Sequence, residues 1–166
     1  MYTIEHADIL IDLESQTLAL PKLNKFYLIS SGLNGIGEQE NSGKTPRGWH
    51  TVAQKIGHDL PINAVLKGRQ WTGEVYDAEL GASHPERDWI LSRILWLSGL
   101  EVGFNQGEGC DTFNRYIYIH GTPDSEPMGI PKSHGCIRMN SQQVKEIFDL
   151  VEEEALVYIS QSKING

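Results

Sequence analysis

Lys132-Ser133-His134-Gly135-Cys136-Ile137-Arg138-Met139-Asn140 puts a thiol, an imidazole, a hydroxyl and a guanidinium into nine consecutive positions. Cys136 is one of two cysteines in the chain. A second histidine stands upstream, in Tyr118-Ile119-His120-Gly121-Thr122-Pro123. A thiol with an imidazole in reach is the smallest kit for a cysteine nucleophile, because the imidazole takes the proton or pairs with the thiolate. Two histidines qualify. His134 lies two positions before Cys136, on the same side of an extended segment. His120 ends an alternating run and has to be delivered by the fold. Gly135 lets the backbone approach a substrate, and the N–H groups around Gly135 and Cys136 are the natural donors to an oxyanion. Arg138 offers a planar fork that suits a carboxylate.

Other readings of the same residues compete. His120, His134 and Cys136 would also make three zinc ligands with an open fourth position. His-x-Cys is unusual zinc spacing, so the nucleophile is preferred. Arg138 could instead pair with a structural acid. Cys110 has no histidine near it in sequence and reads as a small buried residue. His50 and His58 read as surface or loop residues, and His6 and His84 as solvated. Gly43-Lys44-Thr45 resembles the end of a phosphate loop, but Glu38 stands where that motif needs glycine, and Pro46 blocks the helix that should follow.

Outward from the motif, short strands dominate. Residues 9–13 and 17–20 flank the polar Glu14-Ser15-Gln16, a hairpin pattern, and residues 25–30 read as a third strand. Residues 31–38 are a glycine-rich loop, 49–56 a strand, 67–74 a loop or short strand, and 84–88 a charged turn. Residues 89–97, the most apolar segment, read as a central strand interrupted by Ser92 and Arg93. Residues 105–114 read as loop and 115–120 as a strand. Val144, Ile147, Phe148 and Val151 fall on one helical face, with Ser141 as its cap. Residues 155–159 close the strand set, and 160–166 read as tail. Seventeen glycines and seven prolines fit this turn-rich chain.

The 166 residues suit one domain, 1–166, with its core over about 7–160. A net charge of −8 with no basic run argues against nucleic acid as partner. No apolar run is long enough to span a bilayer. The first residues lack a secretory signal pattern, which sets the expectation of a cytoplasmic protein, or a periplasmic one if the start is trimmed.

The pattern His120-Gly121-Thr122-Pro123, then Met128-Gly129-Ile130-Pro131, then Ser133-His134-Gly135-Cys136-Ile137-Arg138-Met139-Asn140 resembles the signature of the L,D-transpeptidase (YkuD) family. The opening strands, the Ser42–Gly48 turn and Arg115–His120 resemble that family's catalytic domain as well. The resemblance implies a mainly β fold, a sandwich of mixed sheets with one or two flanking helices. It implies Cys136 as acylated nucleophile and His120 as base, oriented by the Gly121 carbonyl. His134 and Gly135 would complete the pocket, and Arg138, Ser133 and Tyr118 would contact substrate. The implied partner is a muropeptide or peptidoglycan stem peptide, cut between diaminopimelate and D-Ala, with no metal or organic cofactor. The missing signal pattern favours an L,D-carboxypeptidase of cell-wall recycling over a 3→3 cross-linking enzyme. A muropeptide-binding module is the non-enzymatic alternative.

Overall fold

The computed structural model describes residues 2–162. It contains β1 (Ile9–Asp12), β2 (Thr17–Leu20), β3 (Lys25–Leu28), β4 (Gly48–Ile56), β5 (Ala64–Lys67), β6 (Gln70–Val75), α1 (Ala78–Ser83), β7 (Ile90–Gly99), β8 (Tyr118–Thr122), β9 (Ile137–Asn140), α2 (Ser141–Leu150) and β10 (Leu156–Ser160). The mainly β, mixed architecture with two helices is the one expected. Its walls are parts of one hydrogen-bonded sheet, ordered β3-β2-β1-β10-β4-β7 and branching at β7 to β5-β6 and to β8-β9. The β1–β10 and β8–β9 pairs are parallel and the others antiparallel. The sheet curls until its ends meet. Beyond β3, the Ser30 and Arg138 backbones exchange two N–H···O bonds of 2.9 Å, tying the first strands to β9.

The curl encloses the main core. Ile9, Ile11, Leu18, Val52, Leu95, Leu97, Ile119, Ile137, Met139, Val157 and Ile159 point into it, and α2 lays Val144, Ile147 and Phe148 on it. Alternate residues of β7, Ile94 and Trp96, face outward into a second cluster with Leu66 and Tyr118. With both faces covered, β7 needs a near-continuous apolar sequence, which is why it reads as the most apolar segment. Ser92 and Arg93 sit where the β7–β8 register shifts, with Ser92 at φ +73°. The interruption in the run is therefore a bulge.

Several expectations shift. The strand expected at 115–120 begins at Tyr118, because residues 111–116 form turns closed by Arg115 N–H to the Asp111 carbonyl and Tyr116 N–H to the Phe113 carbonyl. The α2 cap is Asn140, whose Oδ1 accepts from Gln142 and Gln143, rather than Ser141. Helix α1, capped by Asp77, lies in a stretch that gave no helical pattern. Of the expected tail, Ser160 ends β10, and residues 163–166 lie outside the described residues. Among the described residues no helix is long and apolar enough to cross a membrane.

Candidate active site

Strands β8 and β9 run parallel in the register Ile119↔Ile137 and His120↔Arg138. Ile119 and Ile137 point into the core. Alternation then turns Tyr118, His120, Cys136 and Arg138 to the opposite face, so the fold brings both halves of the expected site together. Gly121 makes this possible. A Cβ there would stand 2.5 Å from the Leu91 carbonyl oxygen and 2.8 Å from Ser141 Oγ, so β7, β8 and the start of α2 close up only around glycine.

His120 is buried, and its Nδ1 lies 2.7 Å from the Gly121 carbonyl oxygen. A carbonyl can only accept, so Nδ1 carries the proton and Nε2 keeps a free lone pair. Burial lowers the pKa of the ring; the Gly121 bond and Asp88 oppose this, and Arg138 reinforces it. The ring is thus a neutral base, in the tautomer that accepts through Nε2.

The Cys136 sulfur receives the Tyr118 N–H at 3.3 Å and lies 3.3 Å from the Tyr116 carbonyl, to which its own S–H is directed. By accessible surface the residue is only half-buried. The strand backbone packed around the sulfur nevertheless desolvates it, and that local packing decides its titration. Burial pushes the thiol up to about 12, against the Tyr118 N–H, Arg138 and Arg115, with Asp88 raising it further. At rest this face holds a neutral thiol and a neutral imidazole.

The loop that carries Cys136 is held from three sides. Ser133 Oγ donates to the Cys136 carbonyl and accepts the Gly135 N–H at 3.1 Å. Ser133 is buried, so its hydroxyl shapes the turn and does not reach substrate, contrary to expectation. Gly135 has φ +124°. Its N–H is taken by Ser133, which removes it from the expected oxyanion donors. Among the described residues the Cys136 N–H has no acceptor, and it remains as the donor beside the sulfur. The Gly135 carbonyl accepts from Thr45 Oγ1 at 2.8 Å, and Thr45 Oγ1 in turn accepts the Gly32 N–H at 2.8 Å. Gly43-Lys44-Thr45 is therefore a buttress. Arg115 ties the same buttress to the site by donating to the Lys44 carbonyl at 2.6 Å.

Arg138 is occupied. Its Nη2 donates to Asp88 at 2.9 Å and its Nη1 lies 3.7 Å from Glu126. Two carboxylates already hold this buried fork, so the pairing with a structural acid is the reading that the structure favours over a substrate carboxylate. Asp88 also receives His134 Nδ1 at 3.3 Å. His134 itself is 77% exposed and stands at the mouth of the site. Burial alone would raise the Asp88 carboxyl; its neighbours His120, Arg138 and His134 outweigh it and hold the carboxyl below its ordinary range. Asp88 is the site residue that sequence reasoning missed, since in the turn 84–88 it looked like one solvated charge among several.

A cleft of about 310 Å³ opens over the thiol, lined by Leu66, Arg69, Asp88, Ile94, Tyr118, His134 and Cys136 among others. Tyr118 contributes its ring edge-on to Trp96, and its hydroxyl accepts from Arg69 at 3.1 Å. A larger cleft of about 420 Å³, between Leu20–Leu23 and Leu150–Ala155, is lined by neither cysteine nor histidine. Cys110 lies in another loop, 3.6 Å from the Gly107 carbonyl. His50 is not a surface residue: it is fully buried, with Nδ1 3.0 Å from the Gly48 carbonyl and Nε2 3.0 Å from Thr112 Oγ1. Among the described residues no three His, Cys, Asp or Glu side chains are grouped to hold a metal ion.

A neutral imidazole aligned by a carbonyl, on the same face of a curled mixed sheet as a thiol that follows a glycine turn, is the arrangement that a cysteine nucleophile needs. The family model of the L,D-transpeptidase catalytic domain (YkuD) matches residues 6–159, and the chain belongs to that family. The fold is similar to that of an Ldtfm–avibactam carbamoyl enzyme, at 23% identity and TM-score 0.55, over 96% of this chain and 51% of that one. It is similar to an Enterococcus faecium L,D-transpeptidase cysteine-to-serine mutant at 21% identity and TM-score 0.53, over 95% and 50%. A third similar structure is L,D-transpeptidase 3 from Mycobacterium tuberculosis with a faropenem-derived adduct, at 14% identity and TM-score 0.54, over 92% and 59%. The chain thus spans about half to three-fifths of the length of these structures. No curated protein matches it.

Proposed function

We propose that this cysteine-dependent, transpeptidase-type enzyme is an L,D-carboxypeptidase that removes D-Ala from peptidoglycan stem tetrapeptides. The observation that carries the reading is the His120 ring, fixed by Gly121 with Nε2 free, on the same face as Cys136. Nε2 takes the thiol proton as sulfur attacks the carbonyl at the L-centre of diaminopimelate. The Cys136 N–H stabilises the oxyanion. The C–N bond breaks, the imidazolium returns the proton to the leaving D-Ala amine, and a thioester remains. Water, activated by the same Nε2, gives the tripeptide and restores the thiol. Water needs no seat of its own, so the cleft over the thiol has only the stem peptide to hold. A cytoplasmic location, where soluble muropeptides would be met, is part of the same proposal; cell fractionation tests it.

Cross-linking is the second reading, and one feature favours it. A neighbouring cleft of about 390 Å³ shares Leu66 and Asp88 with the first and could seat an amine-bearing acceptor stem. Mass analysis after incubation with disaccharide tetrapeptide separates the two. Tripeptide and free D-Ala without dimer are expected; accumulating 3→3 dimer would overturn hydrolysis. A Cys136→Ala variant as active in cells as the wild type would point instead to a binding module.

A further inference from the structure

The β5–β6 turn is Gly68-Arg69, with φ of +56° and +64°. Two-residue hairpins of this hand favour Asn and Gly, because a Cβ makes the left-handed backbone costly. An arginine at such a position is a local outlier that points to a task for its side chain. Its guanidinium lies 4.9 Å from the Trp96 ring centre and 5.0 Å from that of Tyr116, and Nη1 donates to the Tyr118 hydroxyl. Three aromatic groups fix the fork without neutralising it, and among the described residues its other N–H groups have no acceptor. The remaining arginines near acids or carbonyls differ. Arg47, Arg87 and Arg138 face Glu38, Glu74 and Asp88. Arg93 and Arg115 donate to backbone carbonyls. Among the described residues Arg69 makes no ion pair with a carboxylate, and it lines the same cleft as Cys136.

We infer that Arg69 recognises a carboxylate of the peptide substrate, the role expected from the sequence for Arg138. The inference rests on the stem-peptide reading above. A stem tetrapeptide carries carboxylates on both sides of the bond to be cut: one on the leaving D-residue, one on the second centre of the diaminoacid, and one further back. A bidentate fork held over the cleft takes any of them by the same chemistry. The contact exists before the reaction starts, so it belongs to binding and acts on KM more than on kcat.

The test is steady-state kinetics of wild type, Arg69→Met and Arg69→Lys on the tetrapeptide and on analogues in which each carboxylate in turn is an amide. Methionine keeps an unbranched stem against Trp96; lysine keeps the charge without the fork. Arg69→Met is expected to lose about 10- to 100-fold in kcat/KM, mainly through KM, as for a lost charge-assisted bond. Arg69→Lys should recover part of that. On one amide analogue wild type and Arg69→Met should be equal, and that analogue identifies the carboxylate held. Equal losses on every substrate, or no loss on any, overturn the inference while leaving the functional reading intact. A wild type that turns over none of the peptides overturns the functional reading and the inference with it.

Discussion

Blocking the thiol measures the resting protonation state directly. The Cys136 sulfur is enclosed by the Tyr116 carbonyl and the Tyr118 N–H, with Asp88 opposing negative charge, and burial pushes its pKa up to about 12. An ordinary cysteine near 8.5 is about 3% thiolate at pH 7, whereas one near 12 is about 0.001%, a difference of about 10³ in reactive form. Iodoacetamide labelling followed by peptide mapping separates Cys136 from Cys110. Cys136 is expected to react at least about 100-fold more slowly than a free thiol at pH 7, with a rate still climbing tenfold per pH unit at pH 10. Asp88→Asn removes a charge that raises the thiol, so it should speed the labelling. A labelling profile that levels off below pH 8 would show a preformed thiolate–imidazolium pair and refute the neutral resting state. On the neutral reading, substrate binding has to turn the S–H away from Tyr116 and towards His120 before attack.

Stability should fall in mild acid. Buried His50 titrates at about 4 against about 6.5 when unfolded, so the unfolded state binds the extra proton in between. Stability present above pH 6.5 is lost as pH falls towards 4, by about 3 kcal/mol at 1.36 kcal/mol per unit, and His120 adds to the loss in the same direction. Urea titrations at pH 7 and pH 4.5 measure it; equal midpoints would exclude the buried neutral ring. Thr45→Val strands the Gly135 carbonyl and the Gly32 N–H, which should cost about 2 kcal/mol and lower Tm by about 4–8 °C in calorimetry. Turnover should drop too, since Gly135 immediately precedes the nucleophile Cys136. Carbapenems should add covalently to Cys136, seen by intact mass on wild type and absent from Cys136→Ala; an unmodified wild type would count against the acyl-transfer mechanism.

The candidate residues Cys136 and His120 were legible in sequence because chemistry and spacing coincide there. Cys136 and His120 lie on one face because β8 and the start of β9 run parallel in register, with Ile119 and Ile137 turned to the core on the other side. Helix α2 was readable from its apolar stripe. What stayed hidden were partners chosen by the curl of the sheet. Nothing local distinguishes Asp88 from Glu86, yet only Asp88 meets Arg138 and His134. Ser133 looked available until its hydroxyl proved to close its own loop. His50 looked like a surface residue because Thr112, whose hydroxyl donates to its Nε2, is 62 positions away. Arg69 gave no signal at all, because its meaning depends on a left-handed turn and on rings from two other segments.

The parallel pairing of β1 with β10 bears on how the chain is made. Asp8 accepts the Leu156 N–H across 148 positions of sequence, and β10 is the strand wedged between β1 and β4. Until it emerges from the ribosome, the early strands have no neighbour on that side, and the curl cannot close. Pairings this distant fold slowly, over milliseconds to seconds. A nascent chain cut short of residue 156 would leave two open strand edges ready to pair with other chains. Cys136 comes before β10 in the chain, so the nucleophile would be synthesised before the strand that closes the curl.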